Sequence, residues 1–101
     1  MIQAEISIYP MATRTTSVSF YIAKAIDSIK NIENIRYEIN AMGTILESDS
    51  IDVINDVSKR MVDTVHNLGI DRVEVIIKID SRKDKHVKME EKIESIKKQL
   101  D

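Results

Sequence analysis

The sequence predicts a single α+β domain over residues 1–101, in which helices cover a four-stranded antiparallel sheet. Three observations indicate this class. Apolar residues alternate with polar ones in four short segments, and they recur at helical spacing in three others. The segments follow the order β-α-β-β-α-β-α. The first six make two βαβ units of similar length, which pack as the ferredoxin-like sandwich, with both helices on one face of the sheet.

The composition is that of a globular domain with an aliphatic core. Hydrophobic residues make up 43%, charged residues 32% and aromatics only 4%. The formal net charge of −2 provides no attraction to phosphate backbones or anionic lipid, so we expect neither nucleic-acid nor membrane partners. The sequence has no cysteine, and its N-terminus lacks a signal-peptide layout. We therefore expect a cytoplasmic protein without disulfides or thiolate sites.

The first strand and helix have clear patterns. Residues 2–9 alternate and predict a strand that ends at Pro10. Its inward side chains are Ile2, Ala4, Ile6 and Ile8. A helix is expected over 17–31, with Thr16 or Ser17 as its N-cap. Its apolar side contains Val18, Ile22, Ala25 or Ile26, and Ile29.

A hairpin and a second helix follow. Strands are predicted over 34–40 and 43–48, joined by a link too short for anything but an antiparallel turn. Asp49 or Ser50 caps a helix over 50–67, which Gly69 ends in a left-handed conformation. Its apolar residues are Ile54, Val57, Met61, Val65 and Leu68.

The last strand and helix bear on assembly. A strand is predicted over 71–80 and a helix over 86–99. Val73, Val75, Ile77 and Ile79 share one face of the strand, and the helix carries Val87, Met89, Ile93, Ile96 and Leu100. Strands one and three are central in this fold, so the fourth strand is an apolar edge, with Ile76 on the face that the helices leave open. We expect a homo-oligomer; shielding of this surface by the last helix or its loop is the alternative.

The sequence offers no catalytic apparatus and no metal site. His66 lies at the end of a helix, where it complements the helix dipole, and His86 has no further ligand at metal-binding spacing. The hydroxyl-rich stretch 13–19 has no neighbouring histidine and no nucleophile elbow. We therefore expect a protein that is not an enzyme.

A small-ligand site is the remaining possibility. Glu38 and Glu47 fall on or near the sheet with a group of hydroxyl, amide and aromatic side chains: Ser7, Tyr9, Tyr37, Asn40 and Thr44. Carboxylates beside hydroxyls and an aromatic ring suit a small cationic or amino-bearing ligand. Exposed glutamates are common on strands, so an ordinary solvated surface is the alternative.

Three segments carry a family resemblance. They contain Ser17, Val18, Ser19, Tyr21, Ile22 and Ala23; then Met42, Gly43, Thr44, Leu46 and Glu47; then Ile77, Lys78, Ile79, Asp80 and Arg82. In this order and at this spacing, over about residues 4–90, the chain resembles the thiamine-binding-protein-like family of small ferredoxin-like proteins. It departs from the family pattern at Ala12 and Ser48, where glycine is usual, and at Ala41, where proline is usual.

The resemblance implies a function. Members have a ferredoxin-like domain with an added C-terminal helix, assemble into dimers and tetramers, and in some cases bind thiamine or its pyrimidine part. It implies that Thr44 and Glu47 contact the ligand. Ser7, Tyr37 and Asn40, from their positions on or near the sheet, are weaker candidates, although alternation also favours a core position for Tyr37. We expect a non-catalytic binding protein, most simply a tetramer, with thiamine as ligand and not as cofactor. The alternative is a regulatory or structural homo-oligomer that binds another small molecule, such as an amino acid.

Overall fold

The structure, a computed structural model, describes residues 1–100, and Asp101 lies outside them. The element order confirms the predicted βαββαβ arrangement with a C-terminal helix. The elements are β1 (Ile2–Pro10), α1 (Ser19–Asp27), β2 (Arg36–Asn40), β3 (Gly43–Ser48), α2 (Ile51–Asn67), β4 (Val73–Ser81) and α3 (Met89–Lys97).

The sheet has the strand order β2-β3-β1-β4, and every pairing is antiparallel, as predicted. The two pairings of β1 differ in length. β1 pairs with β3 only from Ile2 to Ile6, whereas it pairs with β4 along its full length to Pro10. Residues 7–10 of β1 therefore have a strand neighbour on one side only.

One hydrophobic core fills the space between the sheet and the first two helices. Its buried side chains are Ala4, Ile6, Ile8, Ala25, Ile26, Ile29, Leu46, Ile54, Val57, Met61, Val65 and Ile70. The predicted inward faces of β1 and α2 are confirmed except at Leu68, which is exposed just beyond the end of α2. The alternation of β2 ends at Ile39, which is also exposed, because it sits at the hairpin turn on the outer edge of the sheet.

The two core helices begin differently. α2 has the expected cap: the Ser50 hydroxyl accepts a hydrogen bond from the Val53 N–H, and Gly69 ends the turn at φ +95°. α1 begins at Ser19, and Val18 occupies its N-cap position without a side-chain hydrogen bond. The expected cap from Thr16 or Ser17 is therefore wrong.

None of the helices within residues 1–100 combines the length and apolarity needed to cross a membrane.

The third helix contacts the opposite face of the sheet through its first turn. Gln3 and Glu47 alternate with core residues along their strands, so they face away from α1 and α2, and both contact the start of α3. Met89 is buried there. The later apolar residues of this segment, Ile93, Ile96 and Leu100, are exposed.

The edge strand β4 is apolar and open, as predicted. Ile76 is 64% exposed, and Val75, Ile77 and Ile79 are also exposed. Of the face predicted to turn inward, only Val73 packs against the core. As an edge strand, β4 has a strand neighbour on one side only, so its side chains are covered less well than those of β1.

Candidate ligand-binding cavity

A cavity of about 190 Å³ opens where β3 begins, between the last residues of β1, the start of α1 and the β2–β3 hairpin. Its walls are mainly apolar core side chains: Ile6, Ile8, Val18, Ile22, Ala25 and Met61. The polar residues that line it are Ser7, Tyr9, Asn40 and Thr44. Because β1 continues past its last partner in β3, alternate backbone N–H and C=O groups of this strand edge are free to turn toward the cavity.

The close approach of the hairpin to β1 depends on Gly43. A Cβ atom at this position would lie 2.9 Å from Ser7 Oγ and 3.1 Å from the Ile6 carbonyl oxygen. The Ser7 hydroxyl donates a hydrogen bond of 2.9 Å to the Met42 carbonyl. This contact and the absence of a side chain at residue 43 hold the hairpin over β1 and form one wall of the cavity.

Thr44 is the distinctive polar group of the cavity. It is only 3% exposed, and its hydroxyl makes no hydrogen bond within residues 1–100. In that part of the chain, no side-chain oxygen is both cut off from solvent and unpartnered, so the Thr44 hydroxyl reaches the cavity space. Because it reaches the cavity space, this hydroxyl can hydrogen-bond with water or with a ligand that occupies the cavity.

The cavity lining within residues 1–100 contains no charged side chain. Apolar walls with a few polar groups are typical of small-molecule sites, where the polar groups fix the orientation of a ligand. The rim is apolar as well, since Tyr9, Ile39 and Met42 are exposed around the opening.

Glu47 lies outside this cavity. Residues 44 and 47 are three positions apart on one strand, so their side chains occupy opposite faces of the sheet. Glu47 is 1% exposed on the far face, where its Oε2 accepts hydrogen bonds from Gln3 Nε2 at 2.9 Å and from the Met89 N–H at 2.6 Å. Its Oε1 accepts one from Arg36 Nη1 at 2.9 Å. Glu47 is thus engaged in holding α3 on the sheet.

The structure brings together three of the five candidate residues. Ser7, Asn40 and Thr44 line the cavity, while Glu47 does not, and Tyr37 is half-buried against the core, as its alternation indicated. Sequence reasoning missed Met61 and Ala25, whose helical spacing gave them core positions and no other signal.

Comparison with known proteins places this fold in a described family. The ferredoxin-like sandwich with its added helix is the class that the topology defines. Residues 4–97 match the family model described as "Thiamine-binding protein", and the chain belongs to this family. A UPF0045 protein of Methanothermobacter thermautotrophicus is 39% identical over 100 residues, covering 99% of this chain and 100% of its own.

Solved structures show the same fold. A crystal structure from Methanocaldococcus jannaschii has a TM-score of 0.85 at 43% identity and covers 95% of both chains. A Thermotoga maritima protein, titled for thiamine biosynthesis or salvage, has a TM-score of 0.76 and covers 94% of this chain and 97% of its own. At 21% identity, this second likeness establishes the fold alone.

The three departures from the family pattern have separate structural settings. Ala12 has φ +59°, a left-handed conformation that glycine adopts more readily than alanine. Ala41 lies in the hairpin turn and lines the cavity. Ser48 is buried, and its hydroxyl accepts a hydrogen bond from the Ser50 N–H at 3.2 Å, next to the start of α2. Only the departure at Ala41 adjoins the cavity.

Proposed function

We propose that this protein is a non-catalytic binding protein for thiamine or its pyrimidine part, and that the cavity beside Thr44 holds the aminopyrimidine ring. The observation that carries the proposal is Thr44, a buried residue whose hydroxyl has no partner within residues 1–100 and opens into an apolar cavity. An aminopyrimidine has ring nitrogens that accept hydrogen bonds and an amino group that donates them. The Thr44 hydroxyl can therefore donate a hydrogen bond to a ring nitrogen or accept one from the amino group.

The cavity volume favours one ring over two. An apolar cavity of about 150 Å³ binds benzene, and sites for drug-sized ligands span roughly 300–1,000 Å³. At about 190 Å³, this cavity suits a six-membered ring with small substituents. In this proposal, the thiazolium ring of thiamine lies at the opening, where the exposed ring of Tyr9 offers a surface for a cation–π contact.

The uncharged lining supports the same assignment. A neutral pyrimidine needs no counter-ion, whereas a buried thiazolium would need one and finds none in the lining within residues 1–100. We propose Ser7 and Asn40 as further contacts, with Thr44 as the group that fixes the orientation of the ring. We assign no direct ligand contact to Glu47 or Tyr37.

Calorimetry with hydroxymethyl-aminopyrimidine, thiamine and a set of amino acids tests the proposal. We expect binding of the first two, and Thr44→Val should weaken it about 3- to 10-fold, since it removes one hydrogen bond worth about 0.5–1.5 kcal/mol and keeps the volume. Thr64→Val is the matched control, because Thr64 lies on α2 and does not line the cavity. Equal affinity in wild type and Thr44→Val, or no binding of either thiamine compound, would refute the assignment.

A second proposal concerns assembly. The exposed apolar residues of β4 favour a homo-oligomer, and we propose a tetramer of identical chains in which this strand is covered. The alternative function, a regulatory or structural oligomer with another small ligand such as an amino acid, depends on this surface and not on the pyrimidine. Binding of an amino acid, and not of a pyrimidine, in the same calorimetric set would favour it.

A further inference from the structure

We propose that a second small-molecule site lies on the open face of the sheet, in a groove between β1, β3, β4 and α3, and that it takes a small zwitterion. The ligand class is a molecule with an ammonium group and a carboxylate a few bonds apart, such as an α-amino acid. The groove shares no lining residue with the cavity beside Thr44. This second site is therefore independent of the proposed function.

The groove has a volume of about 210 Å³ and is lined by charged side chains of both signs. Glu5 lies on β1 and Lys78 on β4, and Lys92 of α3 forms an ion pair with Asp80 of β4. Ile45 of β3 is half-buried and supplies an apolar surface. Two acidic and two basic residues give the lining no net formal charge, which is complementary to a ligand that is neutral overall but carries both charges.

Gln3 presents an unpaired hydrogen-bond acceptor to this groove. It lines the groove and is only 8% exposed. Its Nε2 donates to Glu47 Oε2 at 2.9 Å and to the Val87 carbonyl at 2.8 Å, and because both partners are acceptors they fix the orientation of the amide. Its Oε1 has no hydrogen-bond partner within residues 1–100, where no unpartnered side-chain oxygen is cut off from solvent. This oxygen is therefore open to a donor on a ligand.

Glu5 and Lys78 supply one charge of each sign beside this oxygen. They are direct partners in the β1–β4 register, and Glu5 lies two residues from Gln3 on the same face of β1. The Cβ atoms of residues paired in this way are about 4.5–5.5 Å apart. Even so, neither side chain makes an ion pair in the part of the chain that the structure describes. Both charges are therefore available to a ligand.

These groups match the two ends of an α-amino acid. Its ammonium group has three N–H donors, for which Gln3 Oε1 and the Glu5 carboxylate are acceptors. Its carboxylate would accept a charge-assisted hydrogen bond from Lys78. An apolar cavity of about 150 Å³ holds benzene. A groove of about 210 Å³ therefore has room for an amino acid with a short side chain, which Ile45 would contact.

Calorimetry with alanine tests this site, with ethylamine and propionate as probes that each carry only one of the two charges. We expect alanine to bind at least about 10-fold more tightly than either probe. Glu5→Gln and Lys78→Gln should each weaken alanine binding about 3- to 10-fold, because each removes the charge opposite one end of the ligand. Glu38→Gln is the matched control and should keep the affinity, because Glu38 lies on the same face, on β2, and does not line the groove.

The side-chain amide resonances of Gln3 provide a readout at the site itself, and they should shift when alanine is added. No binding of alanine at millimolar concentration, or equal affinity in wild type and Glu5→Gln, would refute the site. Loss of alanine binding in Thr44→Val would place alanine in the other cavity and would refute it as well. Pyrimidine affinity should be unchanged in Glu5→Gln, so that failure of either proposal leaves the other intact.

Discussion

The Oε2 atom of Glu47 on β3 accepts a hydrogen bond of 2.6 Å from the backbone N–H of Met89, the first residue of α3. A carboxylate at this position satisfies one of the free N–H groups of the helix and interacts favourably with its dipole. Since Glu47 is buried on the face opposite the core, this contact attaches the last helix to the otherwise open side of the sheet.

Glu47→Gln should destabilise the fold by about 1–3 kcal/mol, because hydrogen bonds to a charged group contribute more than neutral ones and Arg36 loses its buried partner. Urea unfolding monitored by circular dichroism measures this. Glu38→Gln, an exposed glutamate on the neighbouring strand, is the control and should change stability by less than about 0.5 kcal/mol. Pyrimidine affinity should be retained in Glu47→Gln; its loss would return Glu47 to the ligand site.

Docking of α3 should weaken in acid. A hydrogen bond from Arg36 holds the pKa of Glu90 below its ordinary value of 4.5, and one from Lys92 holds the pKa of Asp80 below 3.8. A carboxyl group whose pKa is lower in the folded state than in the unfolded state stabilises the folded state when the pH is above its unfolded pKa. This stabilisation is lost as the pH falls through the lowered pKa of the folded state. We therefore expect the Met89 amide resonance to change as the pH falls below 4.5. Glu90→Gln should remove the part of the change that comes from Glu90, and added salt should reduce the whole; a change unaffected by both would exclude these ion pairs.

Gly43→Ala should destabilise the fold by about 1–3 kcal/mol, because the new methyl group overlaps Ser7 Oγ and approaches the Ile6 carbonyl, so the hairpin must shift. Thermal unfolding measures the loss. The double variant Ser7→Ala/Gly43→Ala should recover part of it, since one of the two close contacts is removed and the backbone contact remains. Additive effects of the two substitutions would show that residues 7 and 43 do not interact.

Ile76→Lys should weaken assembly, because it places a charge at the centre of the exposed apolar edge of β4. Light scattering should report an oligomer for the wild type and a shift toward the 11.6 kDa chain for the variant. Leu68→Lys, which replaces an exposed apolar residue away from β4, should leave the mass unchanged. A wild type that scatters as a single chain at micromolar concentration would refute the assembly.

Much of the fold follows from local pattern. The bounds 43–48 predicted for the third strand agree with Gly43–Ser48, and α2 begins and ends within a residue of the expected positions. In β3 and in α2, the side chains that enter the core recur with the period of the strand or of the helix, and the others face away from the core. α1 is shorter than predicted at both ends. At its start, the Thr15 hydroxyl accepts from the Ser17 N–H, and this local bond competes with helix formation.

The candidate site was less predictable, for two physical reasons. The cavity arises from how far β1 runs beyond β3, and the relative length of paired strands depends on contacts distant in sequence. The helical period of α3 indicates an apolar side but cannot tell whether a partner covers it. The separation of Thr44 from Glu47, by contrast, could have been read from the sequence, because an odd spacing on a strand places two side chains on opposite faces.

β1 pairs with β4 further along its length than it pairs with β3. The length of the β2–β3 hairpin therefore determines how much of β1 lacks a neighbouring strand beside the cavity. In the register that pairs Ile6 with Thr44, Gly43 lies opposite Ser7, so one added residue on each arm, two in all, would come opposite Ile8 and narrow the gap, while the faces of all other strand residues stayed as they are. One residue added to β3 alone would reverse which of its side chains enter the core. Loop length between Asn40 and Gly43 therefore sets the length of this gap in steps of a residue pair, independently of the side chains that line the walls.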